Sequence, residues 1–268
     1  DKCSHLVDKY LDALKSEIHG VQKIIEENSY KIQSLYIGGG TPTSIDAASL
    51  AGLLECINNT FDMAFVEEFT LEAGRPDSIN REKLEVSKDN GVNRISINPQ
   101  TMNNRTLEII GRSHTAEDII EAFGLAREAG FDNINMDVIV GLPGENITMF
   151  ENTMNQIEKL SPESLTVHSM AIKRASRLNE NREKFELIDA DEANKMIETA
   201  HEYAVKMGMH PYYLYRQKNI TGNLENVGYC KQYCESIYNI QIMEEKQSIF
   251  ALGAGAITKI IYPEENRI

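Results

Sequence analysis

The chain has 268 residues, of which 41% are hydrophobic and 25% charged, and its formal net charge is −14. This composition is typical of a globular protein, and the length fits one large α/β domain. The acidic balance argues against a nucleic-acid partner, because binding to phosphates requires a basic surface. No apolar run is long enough to span a bilayer and no signal-peptide pattern opens the chain, so we expect a cytoplasmic protein without a membrane partner.

Helix and strand patterns alternate along the chain. The first helix pattern covers residues 5–27, and the first strand pattern covers residues 34–37. The later strand patterns lie at 68–73, 94–97, 133–140, 164–170 and 212–215, and the helix patterns between them lie at 47–58, 81–90, 115–129, 149–160 and 190–207. Alternating strands and helices with short connections predict a parallel sheet. Right-handed crossovers then give an open sheet or a full or partial barrel.

The pattern loses its regularity after the sixth predicted strand. Residues 217–238 are polar and rich in asparagine, which is typical of a long loop, and residues 249–256 return to a strand-and-turn pattern of small residues. We therefore expect a barrel core over residues 1–215, followed by an irregular loop and the start of a C-terminal extension over residues 216–268.

Each predicted strand ends with a residue that a hydrophobic core does not require. In a parallel α/β barrel, ligand sites lie at the carboxyl ends of the strands. In chain order these residues are Gly38, Gly39, Gly40 and Thr41, then Glu72 and Arg75, Gln100 and Arg112, Asp137, His168 and Ala171, and Arg216. This distribution predicts a polar ligand that is bound from several sides.

Structural alternatives exist for the single residues. The glycine run could be only a tight turn, and Glu72 could form a buried salt bridge with Arg75 or Arg112. Asp137 could be part of a structural ion pair, and His168 could be a core histidine with satisfied nitrogens.

The four cysteines are Cys3, Cys56, Cys230 and Cys234. Their spread along the chain argues against a disulfide framework and favours a reducing compartment. Three residues separate Cys230 from Cys234, but the sequence around them offers too few further ligands to predict a metal site. We therefore expect no metal site and no iron–sulfur cluster within these residues.

Together, the segments resemble the oxygen-independent coproporphyrinogen III oxidase family of radical S-adenosylmethionine (SAM) enzymes. The resemblance runs from Tyr10 to Lys259, and the order and spacing of the segments make it specific. The segments are YIGGGTPT at 36–43, Glu72 with Pro76 and Asp77, GVNRIS at 91–96, NPQ at 98–100, IGRSH at 110–114, NMD at 135–137 and GLPG at 141–144. The segments YYLYRQKN at 212–219 and GNLEN at 222–226 indicate a divergent branch of that family.

The resemblance implies a partial (β/α)6 barrel of the radical SAM type, with a parallel sheet and helices outside. The family binds a [4Fe–4S] cluster through a Cys-x3-Cys-x2-Cys loop, and this sequence lacks that motif. We expect the loop to lie upstream of Asp1, so that these residues alone are inactive. The alternative is a paralogue that has lost the cluster.

The resemblance also implies roles in SAM binding for residues at the strand ends. Gly39, Gly40 and Thr41 would contact the methionyl group, Glu72 the ammonium or a ribose hydroxyl, Arg112 the carboxylate, Gln100 and Asp137 the ribose, and Ala171 the adenine. A planar, two-pronged guanidinium suits the role given to Arg112. No catalytic side chain is assigned.

The reaction that the resemblance implies is the oxidative decarboxylation of coproporphyrinogen III to protoporphyrinogen IX in heme biosynthesis. It requires an electron donor for the cluster, and we expect a monomer. A heme-binding, chaperone-like paralogue and a radical SAM enzyme with another substrate are the alternatives. Coproporphyrinogen carries four propionates, so Arg174, Arg177, Arg216 and Lys218 are candidate substrate-binding residues, although they could equally belong to a solvated surface.

Overall fold

A computed structural model describes residues 6–170, 188–216 and 225–262. The helices are α1 (Val7–Glu27), α2 (Ala47–Thr60), α3 (Arg81–Asp89), α4 (Asn104–Ile109), α5 (Ala116–Glu128), α6 (Ile147–Leu160), α7 (Ala190–Lys206) and α8 (Ile237–Glu244). The strands are β1 (Ser34–Ile37), β2 (Glu68–Gly74), β3 (Arg94–Ile97), β4 (Ile134–Val140), β5 (Ser164–Ser169), β6 (His210–Tyr215) and β7 (Asn226–Cys230). Among these residues, no helix has the length and apolarity that crossing a membrane requires.

The strands form one curled sheet in the order β1-β2-β3-β4-β5-β7-β6. Strands β1 to β5 are parallel, and β7 is antiparallel to both of its neighbours. Strand β6 therefore runs in the same direction as β1 to β5. The predicted α/β class and partial barrel are confirmed.

The prediction of one long loop over residues 217–238 is wrong where the structure describes that segment. Residues 226–230 form β7, which inserts between β5 and β6, and residue 237 begins α8. The strand lacks the alternation of apolar and polar residues that reveals a strand in sequence. Its central Gly228 contributes no side chain, and the ring of Tyr213 fills the space over it: a Cβ at Gly228 would lie 1.9 Å from Tyr213 Cε1. Packing against a neighbouring strand therefore stabilises β7.

Most helices begin at a residue whose side chain caps the first turn. At the start of α5, Thr115 and Asp118 form a reciprocal capping box, which satisfies two backbone N–H groups at the helix end. The caps at the other helices that begin in this way are Asp46 for α2, Asn80 for α3, Asn146 for α6, Asp189 for α7 and Ser236 for α8. These caps fix where each strand-to-helix connection ends.

The two faces of the sheet differ in polarity. The residues that pack against the helices are apolar and at most 2% exposed: Phe69, Leu71, Ile95, Ile97, Met136, Val138, Leu165 and Val167. The residues that alternate with them on the concave face are polar, although buried: Glu68, Thr70, Arg94, Ser96, Asn135, Ser164 and Thr166. Buried parallel strands usually carry apolar residues on both faces. The polar concave face therefore indicates a lumen that binds a polar ligand.

The polar side chains of the concave face form a connected network. The Asn135 amide donates to Ser96 Oγ at 2.9 Å and to Asp137 Oδ1 at 2.7 Å, and it accepts from Thr166 Oγ1 at 3.2 Å. At the amino-terminal ends of β3 and β5, the Arg94 guanidinium donates to Ser164 Oγ at 3.0 Å. The network fixes side chains of β3, β4 and β5 relative to one another, because each buried polar atom needs its partner in place.

Candidate functional site

The connection after β1 exposes bare backbone at the carboxyl end of the sheet. Gly39 has a φ of +95°, which lies in the region that side chains with a Cβ rarely adopt. A Cβ added at Gly39 or at Gly40 would meet nothing within 4 Å. The peptide groups at both residues therefore face open space, where a ligand can approach them closely.

Gly38 has a different role, because neighbouring side chains pack against it. A Cβ at this position would lie 2.7 Å from Tyr36 Cε1 and 2.8 Å from Glu72 Cδ. The missing side chain lets the carboxyl group of Glu72 come against the end of β1. Tyr36 Oη donates a hydrogen bond of 2.5 Å to Glu72 Oε1, which fixes the position of that carboxyl group.

Glu72 is half-buried at the end of β2 and has no basic partner in the described part of the chain. Burial raises its pKa, and the negative charge of Asp137 raises it further, against the hydrogen bonds from Tyr36 and the Gly39 backbone. The predicted alternative of a salt bridge to Arg75 is wrong, because Arg75 pairs with Asp77 at 2.8 Å. A carboxylate that lacks a cation in a partly dry cleft favours a ligand that brings an ammonium or hydroxyl donor.

Asp137 differs from Glu72 because the protein stabilises its charge. Burial opposes its ionisation, but the nearby imidazole of His168 and the hydrogen bond from the Asn135 amide outweigh burial and lower its pKa. His168 Nε2 lies 3.7 Å from Asp137 Oδ2, and His168 Nδ1 lies 3.2 Å from Tyr215 Oη. His168 is thus a satisfied histidine that orients Asp137.

Gln100 is held beside Asp137 by the backbone. Its N–H donates to the carbonyl of Asp137 at 2.9 Å, and its own carbonyl accepts from the N–H of Ile139 at 2.9 Å. Its φ is +66°, a value that costs free energy in a residue with a side chain. Strain of this kind concentrates at functional sites, where the surrounding structure enforces it. The strained backbone fixes Gln100 at the end of β3, next to the end of β4.

Arg112 is half-buried, and within residues 6–170, 188–216 and 225–262 no group forms a hydrogen bond or ion pair with its guanidinium. Burial lowers its pKa, and the positive charge of Arg75 lowers it further. The guanidinium therefore gains from an anionic ligand, and its planar shape matches a carboxylate. The predicted alternative of a salt bridge between Glu72 and Arg112 is also wrong.

The remaining predicted residues give a mixed result. Thr41 is half-buried, and its carbonyl accepts from the N–H of Ser44 at 2.8 Å. Arg216 is exposed at the end of β6 and pairs with Glu225 at 2.9 Å, so another protein side chain already balances its charge. The other predicted residues, Ala171, Arg174, Arg177 and Lys218, lie outside the described residues.

Sequence reasoning missed the aromatic residues of the site. Tyr36 binds Glu72, and its ring stacks on Tyr238 of α8 with a centroid distance of 4.2 Å. The position of Tyr36 could have been inferred from alternation, since it lies two residues before Gly38 on the same face of β1. No signal in the sequence could have placed Tyr238 beside it, because 202 positions separate the two tyrosines and the contact depends on how the chain returns to β1.

The polar and charged groups at the site match the groups that SAM carries. The bare backbone at Gly39, the carboxyl of Glu72 without a cation and the unpaired guanidinium of Arg112 match a ligand that carries an amino-acid group. The described residues do not fit an iron–sulfur cluster. Cys56 lies on α2, whereas Cys230 and Cys234 lie at the end of β7 and just after it, so no three of the described thiols come from one loop as such a cluster requires.

Comparisons with known proteins identify the family of the chain. The family model of the Radical SAM superfamily matches residues 9–157. The chain is 47% identical over 263 residues to the oxygen-independent coproporphyrinogen-III oxidase-like protein HemZ of Bacillus subtilis, and the match covers 98% of this chain and 52% of that protein. It is 32% identical over 256 residues to the heme chaperone HemW of Bacillus subtilis, covering 94% of this chain and 63% of that protein.

A solved structure shows the same fold. Coproporphyrinogen III oxidase (HemN) from Escherichia coli superimposes with a TM-score of 0.75 at 22% identity, over 96% of this chain and 58% of that chain. The chain spans less than two thirds of the length of each of these relatives. Because the family model covers more than half of the chain, this protein belongs to the radical SAM superfamily, within which it is similar to the oxygen-independent coproporphyrinogen III oxidase family.

Proposed function

We propose that this protein is the SAM-binding core of an oxidoreductase that oxidatively decarboxylates two of the four propionate side chains of coproporphyrinogen III to vinyl groups, giving protoporphyrinogen IX and carbon dioxide. The observation that carries the proposal is the half-buried carboxyl of Glu72, which lies against bare glycine backbone and lacks a basic partner. The similarity to the coproporphyrinogen-III oxidase-like protein supports the choice of substrate.

The described residues would bind and orient the cofactor. When bound, SAM supplies a carbon radical that removes a hydrogen atom from the substrate. The guanidinium of Arg112 would bind the carboxylate of the methionyl group, and Glu72 would accept from its ammonium or from a ribose hydroxyl. Gln100 and Asp137 would accept from the ribose. These contacts would hold the bound cofactor in one orientation, and such positioning is a contribution that a protein makes to chemistry supplied by a cofactor.

The rest of the proposed machinery lies outside the described residues. We assign the [4Fe–4S] cluster to a cysteine loop of the longer protein, together with an electron donor, and we propose a cytoplasmic monomer. Arg174, Arg177 and Lys218 remain candidates for binding the propionates. Arg216 can take that role only by giving up Glu225, so an Arg216→Ala variant should raise KM for the tetrapyrrole and leave SAM binding unchanged.

A second candidate function is heme binding and transfer without this chemistry. The similarity to the heme chaperone favours it, and so do the tyrosines near the site. Tyr213 and Tyr215 are parallel, with an interplanar angle of 4° and centroids 6.3 Å apart. Flat aromatic surfaces suit the apolar faces of a planar macrocycle.

The two functions are separated by an anaerobic assay of the full-length, cluster-reconstituted protein with SAM, coproporphyrinogen III, a one-electron reductant for the cluster and an electron acceptor for the substrate radical. We expect protoporphyrinogen IX and 5′-deoxyadenosine as products. Stable heme binding without these products would favour the second function.

The Arg112→Lys variant tests the cofactor site in the same protein. We expect it to weaken SAM binding at least about tenfold, because an ammonium cannot reproduce a two-pronged contact. Arg105→Lys is the matched control, since Arg105 is exposed on α4 and its replacement should leave affinity unchanged. Equal affinity of both variants would contradict the assignment of Arg112.

A further inference from the structure

A second group of ligand-type side chains lies away from the SAM site. His210 is the first residue of β6, Cys230 is the last residue of β7, and the two are direct partners in the antiparallel ladder. Glu235 follows in the turn before α8. Cys230 is also paired with Ser164, the first residue of β5. The group therefore lies at the amino-terminal end of the parallel strands, opposite to the end that carries the SAM site.

The three ligand atoms lie close together. His210 Nε2 is 3.2 Å from Glu235 Oε1 and 4.0 Å from Cys230 Sγ, and all three atoms lie within 4.8 Å of one another. Zinc bonds of about 2.0–2.3 Å in a tetrahedron would separate such atoms by about 3.4–3.6 Å. The nitrogen–oxygen distance is close to that value, and a shift of about half an ångström would bring the sulfur to that distance from the imidazole nitrogen.

The kinds of donor atom also match one metal. A thiolate, an imidazole and a carboxylate together suit zinc, which accepts sulfur, nitrogen and oxygen in tetrahedral sites, better than magnesium or calcium, which prefer oxygen alone. Cys234 lies in the same turn, where its N–H donates to the Lys231 carbonyl at 3.1 Å, but its thiol is not one of the three atoms that lie within 4.8 Å of one another.

We propose that His210, Cys230 and Glu235 bind a zinc ion, with a water molecule in the fourth position. The sequence had given no reason to expect this site, because His210 becomes a neighbour of Cys230 only when β6 pairs with β7.

The position of the site indicates a structural role. The chain continues from Glu235 to Ser236 and Ile237, where Ser236 Oγ and the Ile237 N–H donate to the buried carboxylate of Glu68 at 3.1 Å and 2.5 Å. A metal ion at Glu235 would hold the ends of β6 and β7 to this turn. It would therefore stabilise the packing of β6 and β7 against the start of α8 without taking part in radical chemistry.

The test uses the 268-residue chain, stripped of metal with a chelator and kept reduced with a phosphine. Cobalt(II) is the first probe, because a thiolate ligand gives a sulfur-to-cobalt charge-transfer band and a tetrahedral site gives strong visible bands. We expect one equivalent to bind, zinc to displace it, and zinc to raise the midpoint temperature of unfolding (Tm).

Single variants identify the ligands. Cys230→Ser should abolish the charge-transfer band, and His210→Asn and Glu235→Gln should each weaken zinc binding at least about tenfold, since removal of an outer partner alone can cost that much. His210 and Glu235 are partly exposed, so these two variants should fold even if Cys230→Ser does not. Cys56→Ser on α2 is the control and should bind as the original chain does.

Three results would overturn the proposal. The first is the absence of a charge-transfer band in the original chain, and the second is a band that survives in Cys230→Ser. The third is zinc affinity that His210→Asn and Glu235→Gln leave unchanged. Because none of these readouts depends on SAM or on turnover, they stand or fall separately from the proposed function.

Discussion

The parallel strands β1 to β4 and the antiparallel pair β6 and β7 contribute different chemistry to the same lumen. At the carboxyl ends of the parallel strands, the groups that face the site are carboxyl oxygens, a guanidinium and bare peptide groups. On β6, they are aromatic rings: Tyr212 and Tyr213 make an edge contact with centroids 4.7 Å apart, and Tyr213 is parallel to Tyr215. The parallel part is suited to a small polar cofactor, and the antiparallel part offers surface to a larger, flatter molecule.

The two parts also differ in how they are stabilised. Strands β2 to β5 pack through apolar residues that are almost fully buried. Strand β6 lies at the edge of the sheet, and Leu214 on it is 59% exposed. The edge pair therefore depends more heavily on contacts between its own two strands. One of these contacts is the packing of the Tyr213 ring over Gly228.

The largest effect should follow from Gly228→Ala. A Cβ 1.9 Å from Tyr213 Cε1 cannot be accommodated unless the ring or the strand moves, and such overpacking costs about 3 kcal/mol. Urea unfolding should report the loss. If the edge pair is the less stable region, Gly228→Ala should destabilise β6 and β7 more than the other strands. Hydrogen exchange should then show these two strands opening before β1 to β5.

The double variant Gly228→Ala/Tyr213→Ala is the matched control. Removing the ring removes the clash, so the two effects should combine to much less than their sum. Additive effects would mean that the tyrosine does not limit the space over β7, and that the antiparallel pair is not held by this contact.

The second effect, at the carboxyl end of β1, should be smaller. Gly38→Ala places a Cβ against Tyr36 and Glu72, and we expect a loss of about 1–2 kcal/mol because both neighbours are side chains that can move. Gly40→Ala is the control within the same loop, since a Cβ there meets nothing within 4 Å. In the full-length protein, Gly38→Ala should also weaken SAM binding by displacing the Glu72 carboxyl. Equal stability and equal affinity of the two variants would contradict the close packing of Glu72 against β1.

The same contrast explains what the sequence could predict. The parallel strands follow a local rule, in which each apolar run ends in a polar residue and a helix follows, so the fold class and residues such as Glu72 and Asp137 were found from the pattern. The antiparallel pair depends on contacts between residues distant in the chain. Neither the pairing of His210 with Cys230 nor the stacking of Tyr36 on Tyr238 leaves a local signal, because each exists only after β7 has entered the sheet.

The least disruptive test concerns the pH dependence of stability, and it compares two carboxyl groups of the parallel part. Burial raises the pKa of Glu72 above its usual 4.5. The stability that this group contributes is therefore fully present below that value and is lost as the pH rises through the raised pKa. Asp137 behaves in the opposite way. Its pKa lies below the usual 3.8, so its contribution is present at neutral pH and is lost as the pH falls through the lowered pKa.

Glu72→Gln should consequently lose less stability than the original chain as the pH rises above 4.5, since the amide does not ionise. Asp137→Asn should be less stable at neutral pH and should approach the original chain as the pH falls below 3.8. Urea unfolding at several pH values measures both differences, and subtraction of the original chain removes the contribution of Glu145, whose pKa burial also raises. If stability changes with pH in the same way in Glu72→Gln and in the original chain, burial does not raise the pKa of Glu72. Glu72 would then have no electrostatic reason to bind the ammonium of SAM, and the parallel part would lose the feature that most clearly separates it from the aromatic edge.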